Sequence, residues 1–387
     1  MQIDAAYAEA TLSDLVRINS INPEFSDGDT NERAIAEHVG TLLSDIGCEV
    51  QLHEAAPGRV STVGKLPGKG GGRSLMLYGH LDTVGVGGMT DPFGAQVRDG
   101  KLHGRGAYDM KGGVAACLAA AKALADRIAG TGEPLAGDVL VVMPADEEVA
   151  SLGMQQVLEH HTADGAIVTE PTDLQLCLAH KGFSWIEVVT EGRAAHGSRP
   201  AEGIDANMRM GRVLAELELV EQELHGRRPH PLVGTPSLHA GVIKGGDGPS
   251  IYASRCELTV ERRTIPGETE TQALAEISEI TERLARADDT FRAAVRARLT
   301  REPFEVSPEA GIVRAVSDAG RAVLGRDLEP VGMSYWMDAA LLAAAGIETV
   351  VVGPTGFGAH ADEEWVELDS VARLAEILAG AALAYCS

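Results

Sequence analysis

Short apolar runs alternate with longer stretches of helical periodicity along this chain, and that alternation limits the folds open to it. Helical spacing covers about residues 4–19 and 31–46, and "KGGVAACLAAAKALADRIAG" reads as a long Ala-rich helix beginning near Gly112. Between them, "SLMLYGHLDTVG", "GDVLVVMPADEE" and "GAIVTEPT" read as strands, with "GMQQVLEHH" a short helix before the last. Strands interleaved with helices predict an α/β domain whose mostly parallel or mixed sheet is flanked by helices. The pattern changes near residue 178. "CLAHKGFSWIEVVTEG" reads as one long strand, followed by helix, two strands, helix and a closing strand in "FRAAVRARLTREPFEV". That is the β-α-β-β-α-β order of a small ferredoxin-like α+β domain. The chain then returns to helix, strand and helix. The expected organisation is one α/β domain made of residues 1–178 and 296–387, interrupted by an insertion at 179–295. A length of 387 residues, more than one core usually serves, agrees with two domains.

A formal charge of -24 argues against nucleic acid and anionic membranes as partners, because both need a basic face. No run is long and apolar enough to span a bilayer, and "MQIDAAYAEATLSDLVRINS" has neither the basic start nor the apolar centre of a signal peptide. Cys48, Cys117, Cys177, Cys256 and Cys386 are odd in number and widely spaced, which reads as reduced thiols in a cytoplasmic protein.

Ligands of open α/β sheets bind at the carboxyl ends of the strands. Polar residues recur there: His80 and Asp82 after the first strand, Asp109 in "GRGAYDMKGG", Glu147 and Glu148 in "PADEEVAS", Glu170 in "TEPT", and His360 in "GAHADEEW". Taken singly, each has an ordinary explanation. Asp109 could cap a helix, the acidic pair could be a solvated turn, and His360 could be an exposed loop residue. Their common position at the strand ends is what these explanations leave out. Two histidines and several carboxylates form an N/O donor set suited to zinc, cobalt or manganese. One shared carboxylate, with a histidine and a carboxylate on each side, would supply two ions.

Together these motifs resemble those of the co-catalytic zinc amidohydrolases, the group of acetylornithine deacetylase, succinyl-diaminopimelate desuccinylase, aminoacylase and carboxypeptidase G. The resemblance runs in order along almost the whole chain. It implies a zinc-exopeptidase-like catalytic domain with an inserted dimerisation or lid domain. It also implies two divalent ions, zinc first, with cobalt and manganese as alternatives. His80 and Glu170 would hold one ion and Glu148 and His360 the other, with Asp109 bridging. Asp82 would hydrogen-bond the far side of His80 and fix its tautomer. Glu147 would be the general base. In the insertion, His196 of "GRAAHGSRP" matches the histidine that reaches across a homodimer to help stabilise the oxyanion. Arg263 of "ERRTIPGE" falls on the arginine that grips a substrate carboxylate. Two departures bear on specificity: Glu261 stands where the family has Asp, and Ser250 where it has a substrate-contacting Asn.

The function so implied is hydrolysis of the amide bond of an N-acyl amino acid, and Asp338 in "SYWMDAALL" leans it toward the acetylornithine deacetylase side. The alternatives are a dipeptidase or carboxypeptidase, a desuccinylase-like hydrolase, and a non-catalytic, metal-stabilised binding protein. The presence of Glu147 argues against the last.

Overall fold

The computed structural model describes residues 3–387, which divide into two compact units. The first comprises residues up to Leu178 together with Val306–Val331 and Met337–Ser387, and the second Ala179–Glu305 with Gly332–Trp336.

In the first unit, Val139–Met143, Leu75–Tyr78, Gly165–Val168 and Glu348–Val351 lie side by side and parallel. Their register is even: Tyr78 lies opposite both Val142 and Val168, and Val168 opposite Val351. All four strands therefore end together, and the residues that follow them emerge along one edge. The margins are antiparallel. The hairpin Glu49–Ala56 and Arg59–Leu66 extends one side, and Leu176–His180 follows Glu348–Val351 on the other. The sheet is thus mixed, with a parallel centre. Its strands are buried on both faces, which is why they read as continuous apolar runs.

The long helix Gly112–Thr131 sits close enough to the strand ends to need glycine there. A Cβ on Gly113 would come within 2.3 Å of Thr169 Oγ1 and 2.5 Å of its carbonyl oxygen. A small antiparallel sheet of Gln96–Arg98, Lys101–His103, Trp365–Glu367 and Gly356–Phe357, which the apolar pattern did not announce, joins two segments far apart in sequence. It brings the loop carrying His360 beside the segment that leads into Asp109.

The second unit is a four-stranded antiparallel sheet in the order Ser237–Gly245, Arg255–Thr264, Gly182–Glu191, Arg292–Arg301. Helices Ala206–Gly226 and Glu270–Ala287 pack on it, with Val188, Met210, Val213, Leu258, Ile277 and Phe291 in the core. This is the ferredoxin-like order. The expected single strand over "CLAHKGFSWIEVVTEG" is two, Leu176–His180 and Gly182–Glu191. They part at Lys181, where the chain passes so close to Arg301 that a Cβ on Gly182 would lie 2.4 Å from that residue's carbonyl oxygen. The strand Arg292–Arg301 also runs past residue 295, where the sequence placed the end of the insertion. No helix among the described residues is long and apolar enough to cross a membrane. All five cysteines are free and buried.

Candidate functional site

Two donor clusters share one carboxylate at the common strand edge: His80, Asp109 and Glu170, and Asp109, Glu148 and His360. His80 Nε2 is 3.3 Å from Asp109 Oδ1 and 3.6 Å from Glu170 Oε1. His360 Nε2 is 3.3 Å from the other Asp109 oxygen, Oδ2, and 3.0 Å from Glu148 Oε2. Asp109 therefore turns one oxygen to each histidine. It does not cap the following helix, whose N-cap is Lys111.

The segments that present these groups are held by a second set of contacts. Glu364 is buried, and its carboxylate accepts the backbone N–H groups of Gly106, Tyr108 and Asp109 at 3.0, 2.9 and 3.0 Å. Its charge is met by Arg105 at 2.6 Å. The Asp109–Met110 peptide is cis. Sequence reasoning passed over Glu364, which follows Glu363 and looks like half of an exposed acidic pair.

Asp82 departs from its expected contact. His80 Nδ1 donates to the Asp82 backbone carbonyl at 3.0 Å, whereas the carboxylate Oδ1 is 3.6 Å away. In a neutral ring this bond would keep the proton on Nδ1 and turn the Nε2 lone pair toward the cluster, so a backbone atom, not the carboxylate, would set the tautomer. The Asp82 carboxylate is spent elsewhere. It accepts the N–H of Glu147 at 3.0 Å, the N–H of Glu148 at 3.2 Å, and Asn22 Nδ2 at 2.9 Å. It shapes the turn that carries the acidic pair. From that turn the two neighbours part: Glu148 goes to His360, and Glu147 Oε2 lies 3.9 Å from His80 Nε2. Asp338 is buried at the start of helix Ala339–Ala344 and accepts the Tyr78 hydroxyl at 2.6 Å.

The electrostatics of the cluster favour cations. Burial, then the neighbouring Glu170, pushes the Glu147 carboxyl well up. Burial likewise raises Glu170 strongly, and burial with Asp109 raises Glu148. Burial would raise Asp109 as well, but hydrogen bonds from His360 and His80 outweigh it and hold the group well below the usual carboxylate range. His360 is pushed up to about 10 by Asp109 and Glu148. Glu148 Oε1 is buried without a hydrogen-bond partner among the described residues. Buried carboxylates outnumbering their histidines, with an orphaned oxygen among them, fit divalent ions held by nitrogen and oxygen.

His196, Ser250 and Arg263 belong to the second unit. His196 and Ser250 are neighbours there: the Gly197 N–H donates to the Ser250 carbonyl at 2.7 Å, and His196 bridges to Ile251. Arg263 alternates with Arg262 across the strand Arg255–Thr264. Arg262 is buried and paired with Glu268 and Glu276 at 2.9 and 3.0 Å. Arg263 faces the other side, where Nε pairs with Glu261 at 2.7 Å and the guanidinium lies 5.2 Å from the Phe183 ring centroid.

Comparison with known proteins agrees with this architecture. The sequence profile described as Peptidase family M20/M25/M40 matches residues 76–384. The chain belongs to that family. It is therefore a metal-dependent hydrolase of the amidohydrolase and peptidase type. Among family relatives, an acetylornithine deacetylase of Myxococcus xanthus is 32% identical over 346 residues, covering 87% of this chain and 86% of that protein. An N-formyl-4-amino-5-aminomethyl-2-methylpyrimidine deformylase of Bacillus subtilis is 27% identical, covering 92% of this chain and 90% of that one. Among solved structures, a tripeptidase of Staphylococcus aureus shares the M20 fold with a TM-score of 0.79 at 20% identity, covering 99% of both chains.

Proposed function

We propose that the chain hydrolyses the amide bond of an N-acyl amino acid, in the manner of an acetylornithine deacetylase, releasing a carboxylate and a free amino acid. The observation that carries this reading is the pair of donor clusters sharing Asp109, with the buried Glu147 beside His80. The Myxococcus xanthus relative supports the choice of acyl amino acid over peptide. His80, Asp109 and Glu170 would hold one divalent cation, and Asp109, Glu148 and His360 the other, zinc first with cobalt and manganese as alternatives. When bound, the ions supply Lewis acidity, which eases deprotonation of water and polarises the scissile carbonyl. Glu147 takes the proton of the attacking water at its carboxylate and hands it to the departing amine nitrogen. Burial and the nearby Glu170 raise the proton affinity of that carboxylate, which suits a group that must keep the proton between the two transfers.

Arg263 is assigned to the α-carboxylate of the substrate. Glu261 engages only its Nε, and its terminal nitrogens have no acceptor among the described residues, so a two-pronged donor remains. A panel of N-acetyl, N-succinyl and N-formyl amino acids and dipeptides, run with added zinc, cobalt and manganese, is expected to show turnover of an N-acyl amino acid. Turnover of dipeptides alone would move the assignment to the dipeptidase alternative. Within the panel, Arg263→Lys keeps the charge but loses the fork, so it should lower kcat/KM on the acid while leaving the matching methyl ester little changed. Equal wild-type rates on acid and ester, unaltered in Arg263→Lys, would remove Arg263 from substrate binding.

A homodimer through the second unit, with His196 serving the neighbouring subunit, belongs to the same proposal. Its support is the outer strand Ser237–Gly245, which leaves Val242 and Ile243 52% and 53% exposed along an edge without a partner strand among the described residues. Mixing His196→Ala chains with Glu147→Gln chains should restore activity that neither has alone. No recovery after proven subunit exchange would refute the sharing of sites. The free, buried thiols support a cytoplasmic setting.

A further inference from the structure

Behind the acidic turn lies a buried group of side chains that the roles above leave unused. The segment ending in Asn22 runs beside the end of the His80 strand: Ile21 bridges Thr83 in parallel, the Asn22 N–H donates to the Thr83 carbonyl at 2.9 Å, and the Ser20 hydroxyl donates to Leu81 O at 2.7 Å. This places the Asn22 side chain, fully buried, between two carboxylates. Its Nδ2 donates to Asp82 Oδ2 and to Asp146 Oδ1, each at 2.9 Å. Its Oδ1 accepts Arg59 Nη2 at 2.7 Å. The same Nη2 lies 2.9 Å from Asp146 Oδ1, and Arg59 Nη1 donates to Glu32.

Each carboxylate touching Asn22 shapes the turn. Asp82 receives the amides of Glu147 and Glu148. Asp146 takes up a left-handed φ of 69° and accepts the Ser151 and Leu152 N–H groups through its carbonyl and Oδ2, at 2.5 and 3.3 Å. One amide and one guanidinium thus tie the front of the turn to its root.

We propose that Asn22 and Arg59 are positioning residues: they bracket the Asp82 carboxylate and the Asp146 turn, and so fix the aim of Glu147 and Glu148. The catalytic consequence rests on the hydrolytic reading given above; the mechanical one does not. The bracket's chemistry suits its place. Two buried carboxylates, Glu32 and Asp146, pair with the Arg59 guanidinium, and a third, Asp82, accepts from Asn22. Asn22 adds two N–H donors without adding charge. Burial, then Asp82, pushes the Glu32 carboxyl up to about 8, against the pull of Arg59. A lysine at 59 would keep the charge but lacks the fork that reaches Glu32, Asn22 and Asp146 together.

The test uses Asn22→Ala and Arg59→Lys in the full chain, with three readouts. Hydrogen exchange of a peptide covering residues 144–152 needs neither substrate nor metal. The Glu147 and Glu148 amides should exchange faster in both variants, with the peptide covering residues 165–170 unchanged. Titration with Co2+, followed by its visible absorption, should show the cluster with Glu148 and His360 weakened by about 10–100-fold, the range seen when outer-shell partners of ligands are lost, and the cluster with Glu170 near wild type. On any substrate that the wild type hydrolyses, kcat should fall by a similar factor with KM little changed. Wild-type exchange in residues 144–152, wild-type binding of both ions and unchanged kcat would overturn the bracket, even if the melting temperature fell. Altered exchange and ion affinity in a chain whose wild type hydrolyses nothing in the panel would uphold the bracket and refute the N-acyl amino acid reading instead. If Asn22→Ala does not fold, Arg59→Lys, which keeps a cation in the buried group, carries the test.

Discussion

Glu147→Gln is expected to fold, to bind both ions, and to turn over substrate about 10²–10⁴-fold more slowly, the share usually supplied by a positioned general base. The amide is isosteric with the carboxylate, and the Glu147 backbone N–H that bonds Asp82 is untouched. Glu147 is also outside both three-residue donor clusters, so ligation should survive. The loss should appear in kcat, because Glu147 acts on water rather than on substrate binding. Single-turnover rates with a metal count on the same sample check both halves. A variant with two ions and near-normal turnover would take the proton-transfer role away from this residue.

A second large effect is expected at Asp109. Its two oxygens face different histidines, at 3.3 Å each, so it is the one residue common to both clusters. Asp109→Ala should therefore weaken both ions and abolish measurable activity, whereas His360→Ala should weaken one ion and spare the other. The wild-type protein should lose activity to a chelator and regain it when zinc or cobalt is restored. Elemental analysis across the three proteins checks the pattern. Equal metal content in Asp109→Ala and wild type, or full wild-type activity in excess chelator, would sink the shared-carboxylate reading.

Much of this site is legible from sequence because its chemistry sits at the ends of uniformly apolar strands. His80, Glu147, Glu148 and Glu170 each follow such a strand within a few residues, and the even register of the parallel centre turns sequence position into spatial convergence. His360 is harder to place, since a three-residue strand, Trp365–Glu367, helps bring its loop home and carries no usable period. The hairpin at Glu49–Ala56 was missed for a related reason. None of the residues of its outer strand is buried, so they mix polar and apolar types without a core-facing run. The H-x-D spacing sets Asp82 near His80, but it cannot say which Asp82 atom meets the ring, because a backbone carbonyl leaves no mark in the residue code. Glu364, Asn22 and Arg59 were silent for another reason. Their partners are backbone amides or residues many positions away, and nothing local distinguishes them from surface side chains. Arg262 and Arg263 show the converse: strand alternation alone sends one inward to a buried ion-pair group and the other outward.

The hold of Glu364 on the Asp109 segment also sets an order of assembly. Residues 109 and 364 are 255 positions apart, and the hydrogen bond between them closes a loop that contains the entire second unit. A growing chain that has reached residue 170 already contains His80, Asp109 and Glu170, yet it has neither His360 nor the carboxylate that pins Asp109. The donor clusters are therefore unequal in time. One is complete in composition before half the chain is made, and the other waits for its last thirty or so residues, after the slow closure of a long-range contact. During synthesis, all three residues of the first cluster are present long before His360, so the shared aspartate can meet its second histidine only when the chain is nearly finished.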